Sequence, residues 1–109
     1  MTQAEFHLVF EKQIGRCNRV LQKKSKEYTG DSPDRLSAFK VAAAMQECKP
    51  ERALAGMLAK HIVSLYDMCY ADKEVFALEV WDEKITDIQN YMFLLRAIVE
   101  EGQDGSDRG

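Results

Sequence analysis

The stretch Trp81–Val99, WDEKITDIQNYMFLLRAIV, decides how the rest of the chain is read. At about 100° per residue, Trp81, Ile85, Ile88, Met92, Leu95 and Val99 fall on one side, the stripe of an amphipathic helix. A second stripe lies roughly opposite and holds Glu83, Asp87, Asn90, Leu94 and Ile98. Its C-terminal half is apolar, so that side is expected to be covered too. Two carboxylates one turn apart then face a covered surface, where charge is costly unless paired with a cation, hydrogen bonds or a metal. Like charges at this spacing also repel unless a cation sits between them. Two readings stand side by side. One is a carboxylate pair for Mg²⁺, an ion that takes oxygen ligands and keeps part of its water. The other is a solvated helix end.

Three further helices precede this one. The first runs from about Gln3 to Tyr28, with Phe6, Phe10, Cys17, Val20 and Leu21 on one side and Lys24 and Tyr28 extending that stripe. Thr29-Gly30 supplies its stop. The second is expected to open at Asp31-Ser32-Pro33-Asp34, with Ser32 as cap and Pro33 at the first helical position, and to end near Gln46. The third runs from Pro50 to about Tyr70, with Leu54, Leu58, Leu65 and Met68 as its stripe and His61 inside it. Gly56, Ala59 and Val63 form a second small or apolar face, which predicts a helix covered on two sides. Lys60, Ser64 and Asp67 share its narrow polar edge. The fourth is expected to start between Asp72 and Val80 and to end near Glu101, stopped by Gly102.

Sustained strand alternation is missing and the connections are short, so the pattern predicts an all-α, four-helix antiparallel bundle. Residues 1–101 make one helical domain. Residues 102–109, rich in Gly, Asp and Ser, are expected to form a disordered acidic tail.

Composition narrows the classes. Of 109 residues, 46% are hydrophobic and 30% charged, ordinary values for a globular protein. A run of about 18 apolar residues is lacking, so no membrane span is expected. The opening MTQAEFHLVFEKQ lacks the basic start and apolar core of a secretory signal, which predicts a cytoplasmic location. The chain holds 18 acids and 15 bases; residues 100–109 carry four of those acids and one base, leaving 14 of each elsewhere. That balance argues against nucleic acid as a partner, despite the basic run Lys23-Lys24-Ser25-Lys26 and Arg35. Cys17, Cys48 and Cys69 are widely spaced, and their odd number predicts free thiols rather than a disulfide framework or a zinc site.

A histidine on a core stripe is commonly a structural imidazole held by a carbonyl or carboxylate, and less often a site residue. Four segments taken in order add to this reading: KKSKEY (23–28), DRLSAFKVAA (34–43), AGMLAKHIVSLYDM (55–68) and DEKITDIQNYMFLL (82–95). Together, over about residues 18–99, they resemble the MazG-like all-α nucleoside triphosphate pyrophosphohydrolases and the related phage nucleotide-modification-associated domains. The resemblance implies a nucleotide ligand and hydrolysis of an NTP or dNTP to the monophosphate and pyrophosphate. It implies Mg²⁺ held by carboxylates of two helices, neutralising the phosphates and positioning water.

Carried over by position, Glu83 and Asp87 are the ligands of the last helix and Lys24 is a phosphate contact. Asn90 and Tyr91 stand near the base or sugar, and Tyr28, Lys60 and His61 complete the candidate substrate contacts. The family places a Glu-x-x-Glu pair on the helix facing the last one. Here that helix offers Lys60, His61, Ser64 and Asp67, and only Asp67 is available as a third metal ligand. A homo-oligomer is also implied. The alternative is a non-catalytic helical interaction module that dimerises through apolar helix faces.

Overall fold

The computed structural model describes residues 1–73 and 75–108, with the side chains of all of these except Tyr28 and residues 104–108. Four helices make up the regular structure of the described residues: α1 (Gln3–Thr29), α2 (Ser37–Gln46), α3 (Pro50–Tyr70) and α4 (Leu78–Arg108). Helix α4 packs on α3 and α1, and α2 packs on α3 and α1, so the four helices form a ring around a shared interior. Among the described residues no helix is long and apolar enough to cross a membrane.

Local chemistry accounts for most boundaries. Thr2 caps α1: the Glu5 amide donates to Thr2 Oγ1 at 3.1 Å, and the Thr2 amide donates back to Glu5 Oε1 at 3.4 Å. This reciprocal pair satisfies two amides that the first turn cannot satisfy itself. Gly30 ends α1 with φ at +56°, a conformation that costs a side chain with a Cβ roughly 1–2 kcal/mol. Pro50 opens α3, where its missing N–H costs nothing.

Helix α2 starts later than its sequence suggests. Ser32 and Asp34 cap a turn ahead of it instead: the Asp34 amide donates to Ser32 Oγ at 3.2 Å, and the Leu36 amide to Asp34 Oδ1 at 2.9 Å. Their short side chains bind backbone two residues on, which favours a turn as readily as a helix cap. The helix proper begins at Ser37. At the other end of the chain, α4 continues through Gly102 to Arg108. Glycine weakens a helix by about 1 kcal/mol relative to alanine, yet it keeps its N–H, so it does not enforce a stop.

The core gathers Leu36, Phe39, Leu54 and Ile98, with Met57, Tyr91, Leu94 and Leu95 packed against it. Each such aliphatic or aromatic side chain, when fully buried, contributes about 1.5–3 kcal/mol. Two faces differ from expectation. On α3, Gly56, Ala59 and Val63 are exposed, because α2 and α4 both pack on the Leu54 side. On α4, half of the expected main stripe is uncovered: Ile85, Met92 and Val99 are exposed, while Trp81, Ile88 and Leu95 are part-buried. The opposite side, with Asn90 and Ile98 buried and Thr86 beside them at 1% exposure, faces the interior.

A polar seam turns the Thr86 side of α4 inward. Gln13 Nε2 donates to Thr86 Oγ1 and to Gln89 Oε1, both at 2.9 Å, and Cys17 Sγ donates to Gln89 Oε1 at 3.3 Å. Arg16 donates to Gln13 Oε1 and lies 3.5 Å from Asp82. Helix α1 is thus held to α4 largely through hydrogen bonds, with the buried Cys17 among them. Hydrophobic periodicity cannot register such a contact.

Candidate functional site

Every helix of the ring sends side chains into one cavity of about 170 Å³. Leu21, Phe39, Met57 and Leu94 form its apolar walls, while Lys24, Arg35, His61, Asp87, Asn90 and Tyr91 supply polar groups. Apolar walls with a few convergent polar groups are the general pattern of a small-molecule site. The volume is below the roughly 300–1,000 Å³ of pockets that enclose a drug-sized ligand, so it suits one ring system with the rest of a ligand outside.

The Asn90 amide is fixed first. It is 6% exposed, and its Nδ2 donates to the Cys17 carbonyl of α1 at 3.3 Å. That carbonyl can be reached because α1 lies against α4 along the Gln13–Thr86 seam. With Nδ2 so engaged, Oδ1 is buried without a hydrogen-bond partner among the described residues. His61 Nδ1, on α3, is buried and unpartnered in the same sense. Its ring lies 5.3 Å from that of Tyr91, tilted by 47°. A buried polar atom left unpaired costs about 1–3 kcal/mol, and both of these atoms belong to residues that line the cavity.

Charge at the site is mostly positive. Lys24 Nζ lies 3.2 Å from Asp87 Oδ1, an ion pair joining α1 to α4. Arg35, in the turn before α2, donates from Nη2 to the Leu21 carbonyl at 3.4 Å, which anchors its guanidinium at the cavity wall. Burial, and next the Lys84 cation, hold the His61 imidazole below its ordinary value of 6.5; Asp87 opposes this, and Lys60 and Lys24 add to it. The histidine is therefore neutral at pH 7, with one ring nitrogen a donor and the other an acceptor.

Five of the nine candidate residues line the cavity: Lys24, His61, Asp87, Asn90 and Tyr91. Lys60 is exposed and outside the lining, and the Tyr28 side chain lies outside those described. Glu83 and Asp67 are exposed and also outside the lining. Among the described residues no three His, Cys, Asp or Glu side chains gather closely enough to hold a metal ion, so Asp67, Glu83 and Asp87 do not converge. The residues present do not fit a preformed multi-carboxylate Mg²⁺ centre. Asp87 meets Lys24 instead. The site residue missed from sequence is Arg35. Its signal was its place directly before Leu36 and four residues before Phe39, two core side chains that bring it to the interior.

The geometry defines a class: a small all-α protein of four helices enclosing a polar-edged cavity. No protein-family model matches the chain, and neither a curated protein nor a solved structure does.

Proposed function

We propose that this chain is a nucleotide-binding protein of MazG-like type, with the ligand's base or sugar in the cavity and its phosphates toward Lys24 and Arg35. The observation that carries the reading is the cavity's composition. Asn90 and His61, each with a buried polar atom that has no hydrogen-bond partner among the described residues, belong to a lining that also holds two cations and one carboxylate. A ring with hydrogen-bonding edges answers the first feature and an attached phosphate answers the second. Among the lining residues, Lys24 is the one the family resemblance assigns to phosphate, and Asn90 and Tyr91 those it assigns to base or sugar.

Hydrolysis of an NTP or dNTP to monophosphate and pyrophosphate is the activity the resemblance adds to this reading. In the proposal Mg²⁺ is carried by the ligand's phosphates rather than by a preformed protein cage. The purified chain is to be tested against a panel of NTPs, dNTPs and their monophosphates, with and without Mg²⁺, by thermal shift and by pyrophosphate release. A rise in melting temperature with at least one nucleotide is expected, since a ligand that binds only the folded state stabilises it. Absence of any shift and any turnover across the panel contradicts the reading.

A further inference from the structure

The basic run Lys23-Lys24-Ser25-Lys26 divides between two sides of α1. Lys24 turns to the cavity wall, where it meets Asp87. Lys23 and Lys26 are exposed, and they continue a row begun by Lys12 and Arg19, which are exposed too. Spacings of seven, four and three residues put these four cations on one side of the helix, roughly opposite Cys17, Leu21 and Lys24. From Lys12 to Lys26 the row runs about 21 Å along the axis. Among the described residues none of the four forms an ion pair. Two of the helix's three acids are engaged elsewhere: Glu5 caps with Thr2, and Glu11 faces His7 at 3.7 Å.

Charge over the whole chain is divided in the same way. Helix α1 carries six bases and three acids, a net +3, and the remaining residues carry nine bases and fifteen acids, a net −6. One basic helix therefore lies on an acidic body. Toward the N-terminus the cations give way to apolar side chains. Leu8, 60% exposed, lies in line with the row one turn before Lys12, and the exposed Val9 flanks it.

We propose that α1 docks the protein on an anionic lipid surface, with Lys12, Arg19, Lys23 and Lys26 against the headgroups and Leu8 and Val9 entering the acyl boundary. Charge complementarity selects an anionic partner, and it also orients the molecule, since the acidic body is repelled. The apolar side chains in line with the cations select lipid over nucleic acid. A phosphodiester backbone gives such groups no return, whereas a bilayer interface takes up both kinds. Aromatic side chains, on which single-stranded bases stack, do not interleave the row. The contact is peripheral, for no described helix is apolar enough to span a bilayer. It uses the side of α1 turned away from the cavity, so it stands or falls independently of the nucleotide reading.

Co-sedimentation of the full chain with vesicles tests this, using phosphatidylcholine alone and phosphatidylcholine mixed with phosphatidylserine. Wild type is expected to bind the mixed vesicles and not the neutral ones. It is expected to be released as ionic strength rises from about 0.1 M to about 1 M, where the screening length falls to about 3 Å. Lys12→Gln with Arg19→Gln is expected to weaken partitioning about 25-fold, or about fivefold for each cation removed. Leu8→Gln with Val9→Gln is expected to weaken it about tenfold or more. Arg52→Gln, at an exposed position on α3, is expected to change nothing. All of these side chains are exposed, so helical circular dichroism is expected to match wild type. Wild type that ignores mixed vesicles at about 0.1 M salt overturns the proposal, and that result needs no variant. So does equal binding to neutral vesicles, binding indifferent to either pair of substitutions, or binding lost equally with Arg52→Gln. Tighter binding to a DNA or RNA oligonucleotide than to mixed vesicles overturns the choice of lipid.

Discussion

Lys24 of α1 and Asp87 of α4 meet at 3.2 Å on the wall of the cavity, one cation and one anion from helices that a polar seam holds together. The Asp87 side chain is 15% exposed and that of Lys24 37%, so the pair is partly screened and of modest worth to stability, about 1 kcal/mol or less. Its larger effect is on the ligand. A carboxylate at this place repels phosphate. In Mg²⁺-free buffer, Asp87→Asn is expected to tighten nucleotide binding by roughly fivefold, or about 1 kcal/mol, in calorimetric titration. Lys24→Met is expected to weaken it by about tenfold or more. Weaker binding by Asp87→Asn without Mg²⁺ contradicts this assignment of the carboxylate.

Asn90 carries two tasks in one side chain. Its Nδ2 donates to the Cys17 carbonyl, and that bond sets where Oδ1 points. Asn90→Asp replaces the donor with a charged acceptor facing a carbonyl in a buried place. Urea denaturation is expected to show a loss of about 1–3 kcal/mol for the variant. An unchanged midpoint excludes the α1–α4 bond as a structural element.

The His61 imidazole gives a pH signature. Its folded-state pKa lies below the ordinary 6.5, chiefly through burial and then the Lys84 cation. The unfolded chain therefore takes up a proton that the folded chain refuses. Stability from this source is full above pH 6.5 and is lost progressively as pH falls below 6.5 toward the lowered value. Denaturant midpoints measured from neutral pH downward are expected to fall more steeply for wild type than for His61→Gln. Parallel slopes rule out His61 as the titrating group.

Leu54 is wholly buried at the centre of the α2–α3–α4 core. Leu54→Ala is expected to cost about 2–5 kcal/mol, the range for such truncations. Glu47 holds a left-handed conformation at φ +54° where α2 ends. Glu47→Gly relieves that strain and is expected to add up to about 1 kcal/mol of stability. Thermal unfolding of the two variants, shifted in opposite directions, is the check.

The end of α1 and the start of α3 were legible because Gly30 and Pro50 mark them chemically. The start of α2 was less so: Ser32 and Asp34 cap a turn with the same side chains that cap a helix. The covered face of α4 was legible in its C-terminal half, where Leu94 and Ile98 mark it, but not around Thr86. Thr86 and Asn90 are buried there because Gln13 and the Cys17 carbonyl meet them, and a contact made by amides and hydroxyls leaves no hydrophobic period. The site was partly legible. Lys24, His61, Asp87, Asn90 and Tyr91 reach the cavity, but Arg35 was read only beside the basic run, since no helix periodicity places it in the turn before α2. The packing of Leu36 and Phe39 is what carries it inward.

Nucleotide binding in the four-helix cavity is tested most directly by amide and side-chain NMR of the labelled protein, titrated with the nucleotide giving the largest thermal shift. Saturable perturbations are expected at Asn90, His61, Tyr91 and Arg35, with the Asn90 side-chain amide among the largest. Perturbations confined to exposed residues such as Lys60 and Asp67, or none at saturating ligand, contradict the account.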